Sequence, residues 1–330
     1  MADEHRDGFV IGLDIGGTGL KGCVIDRQGT LFTKEQRPTL RERGPEAVIS
    51  TILDFAEDLR KEVQNRSGGE RVVAVGVAVP GLIDEETGVV LASVNLEWKD
   101  VPLRRLLEER LGVPAVVGHD VRIASIAEEL LGAARGSKDF LFVALGTGVG
   151  AAVVLNGTPY AGAHDLGGEF GHTVVAPGGP LCGCGRRGCI ETLASASAVA
   201  RRYLALTQAG MDITTQDVAQ RVQTGDAAAI QVWREAIEAL SIGIANYVTL
   251  LDPERVVIGG GMADAGRTLF EPLIAQLESE VTLLAVPPVL PAALGNDAGY
   301  LGAALKAWMT VGVPQADLNW RGWRSNPGAR

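Results

Sequence analysis

Residues 10–26 read VIGLDIGGTGLKGCVID, and the fold prediction starts from this stretch. Two short apolar runs, 10–14 and 21–26, flank a glycine-rich turn, and a third run follows at 30–37. Short apolar runs bounded by glycines are typical of β-strands. We therefore expect an antiparallel meander of three strands, with Cys23 as a plain core residue of the second strand.

Beyond this meander, the chain alternates segments of helical spacing with strand-like apolar runs. Residues 45–63 show helical periodicity, whereas residues 72–79 form the nearly continuous apolar run expected of a strand in a parallel sheet. A strand, a glycine turn and a strand recur over residues 140–155. Further predicted helices cover residues 103–111, 121–131, 194–206, 215–222, 227–250, 262–278 and 297–309, and further predicted strands cover 115–117, 255–258 and a segment near 289. Strands that alternate with helices indicate an α/β fold, and the recurrence suggests an ancient duplication.

Length, charge and the chain start narrow the possible classes of protein. A chain of 330 residues favours two domains or lobes, and its net charge of −10 disfavours binding to nucleic acid or to an anionic membrane. The polar, acidic start does not resemble a signal peptide, so a cytoplasmic protein is expected. Residues 140–163 are uncharged, but five glycines and Pro159 interrupt them. We therefore expect a buried hairpin there and no membrane span.

A cysteine cluster follows a histidine in the second half of the chain. Three of the four cysteines lie within CGCGRRGC, residues 182–189, and His172 lies ten residues before the first of them. Zinc prefers thiolate and imidazole ligands, and an odd number of cysteines in a reducing compartment disfavours disulfides. We therefore predict a structural Zn²⁺ site formed by His172, Cys182, Cys184 and Cys189. A cluster of buried cysteines without a metal is the alternative.

Three glycine-rich turns have the composition of phosphate-binding loops. They are DIGGTG at 14–19, GTGVG at 146–150 and GGG at 259–261. Glycine lets several backbone amides converge on an anion. The Gly-Lys-Ser/Thr of a Walker loop does not occur, and the second turn leads into a predicted strand, which disfavours a Rossmann dinucleotide site.

Two aspartates follow predicted strands. Asp14 adjoins the first glycine turn, where a carboxylate is well placed to organise a divalent cation near phosphates. Asp120 follows the strand at 115–117 and is predicted as the N-cap of the next helix. A structural cap and a general base are both open readings of Asp120 at this point.

Taken together, these motifs resemble the ROK family of sugar kinases over about residues 10 to 310. The segments that carry the resemblance are the first glycine turn (phosphate loop), AVPG at 78–81 (linker motif), SVNLEW at 93–98 (substrate side), Asp120 (catalytic aspartate), 146–150 (second phosphate loop), EFGH at 169–172 with 182–191 (sugar and zinc signature) and VIGGG at 257–261 (nucleotide side). The zinc stretch is the most specific of them.

The resemblance implies a two-lobed, actin-like and ribonuclease-H-like α/β fold with a cleft between the lobes. It also implies a kinase that transfers the γ-phosphoryl group of ATP, with Mg²⁺, to the 6-hydroxyl of a hexose, with glucose as the first expectation. Asp120 would be the general base, and His172 would bind zinc through one ring nitrogen and sugar through the other.

The family pattern also implies a set of binding residues. Those expected to bind the sugar are Gly81, Asn95, His119, Asp120, Glu169, His172 and Glu191. Those expected to bind nucleotide and its metal are Asp14, Gly16, Gly17, Thr18, Lys21, Gly146, Thr147, Gly148, Gly260 and Gly261. For Glu169 the alternative role is a turn cap, and for Glu191 it is a surface ion pair with Arg186 or Arg187.

Two departures from the family pattern bear on specificity. The family usually has Asn-Asp followed by Ala-Asn, whereas this chain reads His119-Asp120-Val121-Arg122. The asparagine normally binds sugar hydroxyls, so His119 bears directly on sugar preference. The family often has lysine at the position of Gly19, whereas here Lys21 comes two residues later. The Gly19-Leu-Lys21-Gly arrangement resembles that of polyphosphate glucokinases, but those generally lack the cysteine cluster, and ATP is therefore the expected donor.

Other functions stay open at this point. Within the family, the protein could instead be a kinase for N-acetylglucosamine, N-acetylmannosamine, mannose or fructose. Outside the kinases, the alternatives are a catalytically silent sugar-binding protein and a sugar-responsive transcription regulator. The acidic charge and the short stretch before the first strand disfavour the regulator.

The expected domain organisation follows the resemblance. Residues 1–118 with the C-terminal helix 297–310 would form a small lobe, 119–296 a large lobe with the zinc loop, and 311–330 a tail. Trp320 and Trp323 in this tail would lie on the surface of their own subunit or join a contact between subunits. Since the family tends toward dimers and tetramers, a homodimer or homotetramer is expected.

Overall fold

The structure, a computed structural model, describes residues 8–208, 213–318 and 320. The chain divides into two compact units. Unit 1 consists of Met1–Gly136, Ala161–Leu166 and Asn296–Arg330, and unit 2 consists of Ser137–Tyr160 and Gly167–Gly295.

The described residues form strands and helices that alternate along the chain. The strands are β1 (Phe9–Ile15), β2 (Gly19–Asp26), β3 (Leu31–Pro38), β4 (Val72–Val79), β5 (Leu82–Asp84), β6 (Val89–Ser93), β7 (Trp98–Val101), β8 (Ala115–His119), β9 (Phe140–Leu145), β10 (Val149–Leu155), β11 (Thr158–Pro159), β12 (Arg255–Gly259) and β13 (Val289–Pro291). The α-helices are α1 (Pro45–Arg66), α2 (Leu103–Leu111), α3 (Asp120–Leu130), α4 (Ile190–Ala194), α5 (Ala196–Thr207), α6 (Thr215–Gln223), α7 (Ala227–Leu251), α8 (Arg267–Glu280) and α9 (Ala298–Thr310).

Unit 1 contains a mixed sheet with the strand order β3-β2-β1-β4-β8. The predicted antiparallel meander is confirmed by β1 to β3, and β4 and β8 extend it in parallel. All eight residues of β4 are buried, as its continuous apolar run predicted. Cys23 is fully buried in β2, and burial raises the pKa of its thiol to about 12.

Helix α9 lies on this sheet at positions where glycine lets the backbones approach closely. A Cβ at Gly76 in β4 would lie 1.9 Å from the carbonyl oxygen of Ala303, and one at Gly12 in β1 would lie 2.2 Å from that of Tyr300. A Cβ at Gly302 would lie 2.0 Å from the carbonyl oxygen of Ile123 in α3. The glycines of β1 and β4 therefore allow α9 to lie against the sheet, and the glycine of α9 allows it to lie against α3.

Strands β5, β6 and β7 form a small separate sheet that the sequence did not predict. They contain three to five residues each, too few to show a clear alternation of apolar and polar positions. Glu97 and Asp100 also adopt positive φ angles of 57° and 52°, which the strand and turn propensities of these residue types do not predict.

Unit 2 contains a second mixed sheet with the order β11-β10-β9-β12-β13. The buried hairpin predicted for residues 140–163 is confirmed as β9 and β10, which pair antiparallel, with the short β11 beyond them. Helix α7 and its neighbours cover this sheet and form the core of the unit. Among the described residues, no helix is long and apolar enough to cross a membrane.

The helix predicted from residue 194 begins two residues later, and the helix predicted over 262–278 is interrupted. Ser195 separates α4 from α5 and caps the second helix by accepting a hydrogen bond from the Ala198 amide at 3.1 Å. The segment predicted as one helix over 262–278 begins as a 3₁₀ turn at Gly261–Ala265, and α8 starts only after Gly266, whose φ is 56°. Serine caps and glycines with positive φ end helices that apolar periodicity would continue.

The unit boundary differs from the predicted lobe boundary at residue 118. Unit 1 continues to Gly136, because α3 packs against α9. Trp320 is 5% exposed, and its Nε1 donates a hydrogen bond to the carbonyl oxygen of Arg27 at 3.0 Å. It therefore packs on its own unit, and Trp323 lies outside the described residues.

Candidate active site and metal centre

Asp120 is the first residue of α3, directly after β8. The prediction that it caps this helix was wrong, because the N-cap is His119, which has extended backbone angles and no capping side-chain bond. The Asp120 Oδ1 instead accepts a hydrogen bond from the amide of Val121 at 2.8 Å. Its side chain is 33% exposed, so Asp120 is only partly buried.

The electrostatic environment makes Asp120 a weaker acid than usual. Burial raises its pKa to about 6, and the positive charge of Arg122 opposes this in part. The pKa of Asp14, at the end of β1, is also raised to about 6, first by burial and then by the negative charge of Asp120, against the effect of Lys21. The negative charge of Asp120 disfavours ionisation of Asp14, and a cation near the two carboxylates would relieve this repulsion.

The first glycine turn joins β1 to β2 and is tightly folded. The Gly16 amide donates to the carbonyl oxygen of Gly19 at 2.9 Å. Thr39, which the sequence interpretation missed, donates from its hydroxyl to the Gly16 carbonyl at 2.6 Å and from its amide to the Thr18 carbonyl at 3.2 Å. No sequence pattern marked Thr39, since a buried threonine after a strand is common.

Lys21 and Gly17 complete this turn. Lys21 lies opposite Asp14 in the β1–β2 register, and its Nζ donates to the carbonyl oxygen of Asn296 at 3.3 Å. A Cβ at Gly17 would lie 3.8 Å from the Cβ of Asn95. The structure therefore brings the first glycine turn and the predicted substrate-side segment together within unit 1.

The remaining predicted sugar residues of unit 1 lie near strand ends. Gly81 follows β4 with a φ of 128°, and a Cβ there would lie 2.3 Å from the carbonyl oxygen of Ala92. Asn95 is exposed in the loop between β6 and β7, and Arg41 donates to its carbonyl oxygen at 3.3 Å. The Nδ1 of His119 lies 3.4 Å from the Asp120 Oδ1, so this imidazole sits directly beside the acid.

The four predicted metal ligands converge in unit 2. One donor atom each from His172, Cys182, Cys184 and Cys189 lies within 4.8 Å of every other. The Nδ1 of His172 is 3.4 Å from the Cys182 Sγ, and the sulfurs of Cys184 and Cys189 are 3.7 Å apart. Three sulfurs and one imidazole nitrogen form the donor set that Zn²⁺ prefers in closed structural sites, so the residues fit the ion.

The thiols of this cluster differ in acidity. A backbone hydrogen bond from Arg186 lowers the pKa of Cys184, which favours the thiolate that binds metal. Burial raises the pKa of Cys189 to about 12. A bound dication would hold such a thiol in its deprotonated form.

The other face of His172 points toward a predicted sugar residue. Its Nε2 lies 3.7 Å from the Oε2 of Glu169, while its Nδ1 faces the sulfurs. Each nitrogen of this ring therefore has a separate environment, as the expectation of a double role requires.

Glu191 connects the cysteine segment to the second glycine turn. It lies in the first turn of α4, and its Oε2 accepts a hydrogen bond from the Val149 amide at 3.0 Å. A Cβ at Gly148 would lie 2.5 Å from this oxygen, so a side chain there would push the Glu191 carboxylate aside. The alternative of a surface ion pair fails, because Arg186 and Arg187 donate to backbone carbonyls.

The second and third glycine turns lie beside each other in unit 2. The Gly146 amide donates to the carbonyl oxygen of Gly148 at 3.0 Å, and the Ser197 hydroxyl donates to the carbonyl of Thr147. Gly260 has a φ of 85°, and a Cβ there would lie 2.4 Å from the carbonyl oxygen of Leu145, at the end of β9. Gly261 then begins a 3₁₀ turn.

Both the sequence and the fold of this chain are similar to those of known proteins. The model of the ROK family matches residues 10–309. A glucokinase of Halalkalibacterium halodurans is 36% identical over 90% of this chain and 94% of its own length. The crystal structure of a ROK hexokinase from Thermus thermophilus has a TM-score of 0.81 at 35% identity and covers 92% of this chain and 99% of that one. A ROK glucokinase from Streptomyces griseus, in complex with glucose and AMPPNP, has a TM-score of 0.76 at 31% identity over 92% of this chain and 100% of that one.

Fold and side chains together define a protein of the actin-like, ribonuclease-H-like α/β class of ATPases and sugar kinases. Within this class the chain belongs to the ROK family.

Proposed function

We propose that this protein is an ATP-dependent glucokinase, which transfers the γ-phosphoryl group of ATP to the 6-hydroxyl of glucose. The observation that carries the proposal is the partly exposed Asp120 at the start of α3, beside His119 and with its pKa raised to about 6. Relatives named glucokinase and the complex with glucose and AMPPNP support the choice of sugar and donor.

Asp120 acts as the general base. Phosphoryl transfer needs positioning and charge stabilisation more than covalent help, and the acceptor hydroxyl must lose its proton as the phosphoryl group arrives. A pKa of about 6 leaves most of the carboxylate ionised at neutral pH while keeping it more basic than an ordinary aspartate. Proton transfer of this kind contributes about 10²- to 10⁴-fold to a rate.

The glycine turns bind the nucleotide. The amides of Gly17 and Thr18 in the first turn and of Thr147 and Gly148 in the second bind phosphate oxygens, while Gly16 and Gly146 close these turns through their own amides. Gly260 and Gly261 lie at the nucleotide side. Asp14 holds Mg²⁺ or its water ligands, and Lys21 adds a positive charge near Asp14. When bound, Mg²⁺ would neutralise the negative charges of the phosphates.

The sugar is bound by side chains that can donate and accept hydrogen bonds. The residues proposed to bind it are Asn95, His119, Glu169, His172 and Glu191, together with the backbone at Gly81. His172 and the three cysteines would hold zinc, which would fix the His172 ring so that its other nitrogen can bind a sugar hydroxyl.

A second candidate function is phosphorylation of N-acetylglucosamine or N-acetylmannosamine. His119 bears on the choice of sugar, because this imidazole lies beside Asp120 where the family usually has an asparagine that binds sugar hydroxyls. A catalytically silent sugar-binding protein would bind the same sugars without turnover.

An assay that couples ADP release to a sugar panel tests the proposal. We expect the highest kcat/KM with glucose and lower values with mannose, fructose and the N-acetylhexosamines. Binding of glucose by calorimetry without ADP release would instead indicate a silent binding protein. Replacing ATP by polyphosphate should abolish turnover; equal rates would reassign the donor.

We also propose that the protein works in the cytoplasm as a homodimer or homotetramer. ATP as co-substrate and four cysteine thiols without a disulfide suit a reducing compartment. Light scattering after gel filtration should give two or four times the chain mass of 34.6 kDa, and a single chain mass would refute the assembly.

A further inference from the structure

A charged side chain outside the family motifs holds the junction between β8 and α3. Glu85 follows β5 directly, and its Oε1 accepts hydrogen bonds from the Arg122 Nε at 2.9 Å and from the His119 amide at 3.3 Å. His119 precedes Asp120, and Arg122 follows it by two positions. One carboxylate oxygen therefore binds the chain on both sides of Asp120.

Arg122 extends this connection to a second segment of unit 1. It is only 4% exposed, which is rare for arginine unless it is paired, and its Nη1 donates to the carbonyl oxygen of Asp165 at 3.3 Å. Asp165 adopts a φ of 57° within Ala161–Leu166. The planar guanidinium can bind both partners at once, which a lysine cannot do in the same way.

The surroundings of Glu85 leave little room for it to move. Its side chain is 21% exposed, and the Lys306 Nζ of α9 lies 4.0 Å from its Oε2. A Cβ at Gly118, the last residue but one of β8, would lie 3.6 Å from the Glu85 Cδ. Positive groups of α3 and α9 thus face one partly buried carboxylate.

We propose that Glu85 and Arg122 are positioning residues for phosphoryl transfer: together they fix the β8–α3 junction, and with it the Asp120 carboxylate, relative to the acceptor hydroxyl, and they anchor Ala161–Leu166. This inference rests on the proposed function, because Asp120 is the base in it. A displacement of about 1 Å at a reacting group can cost about 10²-fold in rate, so a positioning pair acts on kcat beyond any effect on stability.

Steady-state kinetics of Glu85→Ala, Glu85→Gln and Arg122→Lys test the proposal. We expect Glu85→Ala to lower kcat by about 10- to 10²-fold while the KM for ATP changes by no more than about twofold. Glu85→Gln keeps an acceptor oxygen and should recover part of the lost kcat. Arg122→Lys keeps the charge but loses the second hydrogen bond, and it should lower kcat by an intermediate factor.

A double variant adds a second measurement. Because Glu85 and Arg122 act through one junction, Glu85→Ala with Arg122→Met should lose little more kcat than the worse single variant. Full additivity of the two losses would show that the residues act independently and would contradict the pair.

Glu57→Gln is the matched control. Glu57 is a buried carboxylate of α1 that pairs with Arg60 at 2.9 Å. Its loss should lower the melting temperature and leave kcat unchanged.

The outcomes separate this proposal from the proposed function. A folded Glu85→Ala or Glu85→Gln protein with a kcat within twofold of wild type would overturn the positioning pair, and so would an equal loss in Glu57→Gln. If Glu85→Ala does not fold, unchanged kcat in Glu85→Gln and Arg122→Lys would overturn it in the same way. A wild-type protein that phosphorylates no sugar would refute the proposed function itself.

Discussion

At the scale of single residues, Asp120 combines a partly exposed side chain with a raised pKa. Its neighbours explain both properties: burial disfavours the charge, and the Val121 amide and the Arg122 charge limit the effect. The position after a predicted strand made Asp120 a candidate in the sequence, and the resemblance made it the proposed base. The sequence could not show its hydrogen bonds, and the predicted cap was therefore wrong.

Replacement of Asp120 by asparagine tests its role as base. We expect kcat to fall by about 10²- to 10⁴-fold, because the amide cannot accept the hydroxyl proton, while the KM for glucose stays within a few fold. Asp54→Asn, at a carboxylate that is 61% exposed on α1, serves as control. Turnover of Asp120→Asn close to wild type would remove Asp120 from the mechanism.

The pH dependence should follow the raised pKa of Asp120. As the pH falls through about 6 the carboxylate is protonated and can no longer accept a proton, so kcat/KM should fall. The pKa values of Asp120 and Asp14 rise on folding from 3.8 to about 6. As the pH falls from 6 to 4 the folded state therefore takes up protons before the unfolded state does, and the free energy of unfolding increases. Activity should therefore fall toward pH 5 while circular dichroism shows a folded protein. A kcat/KM that stays flat down to pH 5 would contradict this assignment.

At the scale of elements, the segment around the cysteines connects a metal site to a glycine turn. The donors of His172 and three cysteines converge, and Glu191, two residues after Cys189, binds the Val149 amide of β10. The ligand set was predictable from sequence because residue type and spacing define it. The bond from Glu191 was not, because it joins residues 42 positions apart.

Loss of the metal should weaken folding and sugar binding together. We expect Cys184→Ser or chelation to lower the melting temperature and to raise the KM for glucose more than the KM for ATP, since site assembly and folding are coupled. Cys23→Ala, in a buried cysteine outside the cluster, should keep one zinc per chain by atomic absorption. Metal-free protein with normal glucose kinetics would contradict the bracing role of zinc.

The close approach of α9 to β4 should make Gly76 intolerant of a side chain. A Cβ there would lie 1.9 Å from the Ala303 carbonyl oxygen, so Gly76→Ala must displace the helix. We expect a loss of about 1–3 kcal/mol or more in the free energy of unfolding, measured by urea denaturation. Gly19→Ala, whose Cβ would lie 3.5 Å from the Gln36 side chain, should cost far less. Equal losses would show that the contact with α9 does not limit Gly76.

At the scale of the whole molecule, the sequence predicted the α/β class, the meander and most helices, because these depend on local periodicity. It did not predict the small sheet of β5 to β7 or the extension of unit 1 to Gly136. Both depend on contacts between distant segments, such as the packing of α3 on α9, which no local pattern records. Thr39 and Glu85 were missed for the same reason, since each acts through a partner more than 20 positions away.

The measurement that tests the central claim most directly is the formation of glucose 6-phosphate from glucose and ATP by the purified protein. The account predicts glucose-dependent formation of glucose 6-phosphate and ADP in equal amounts, with Mg²⁺ required. Glucose binding without either product, or ADP release that no sugar stimulates, would contradict it.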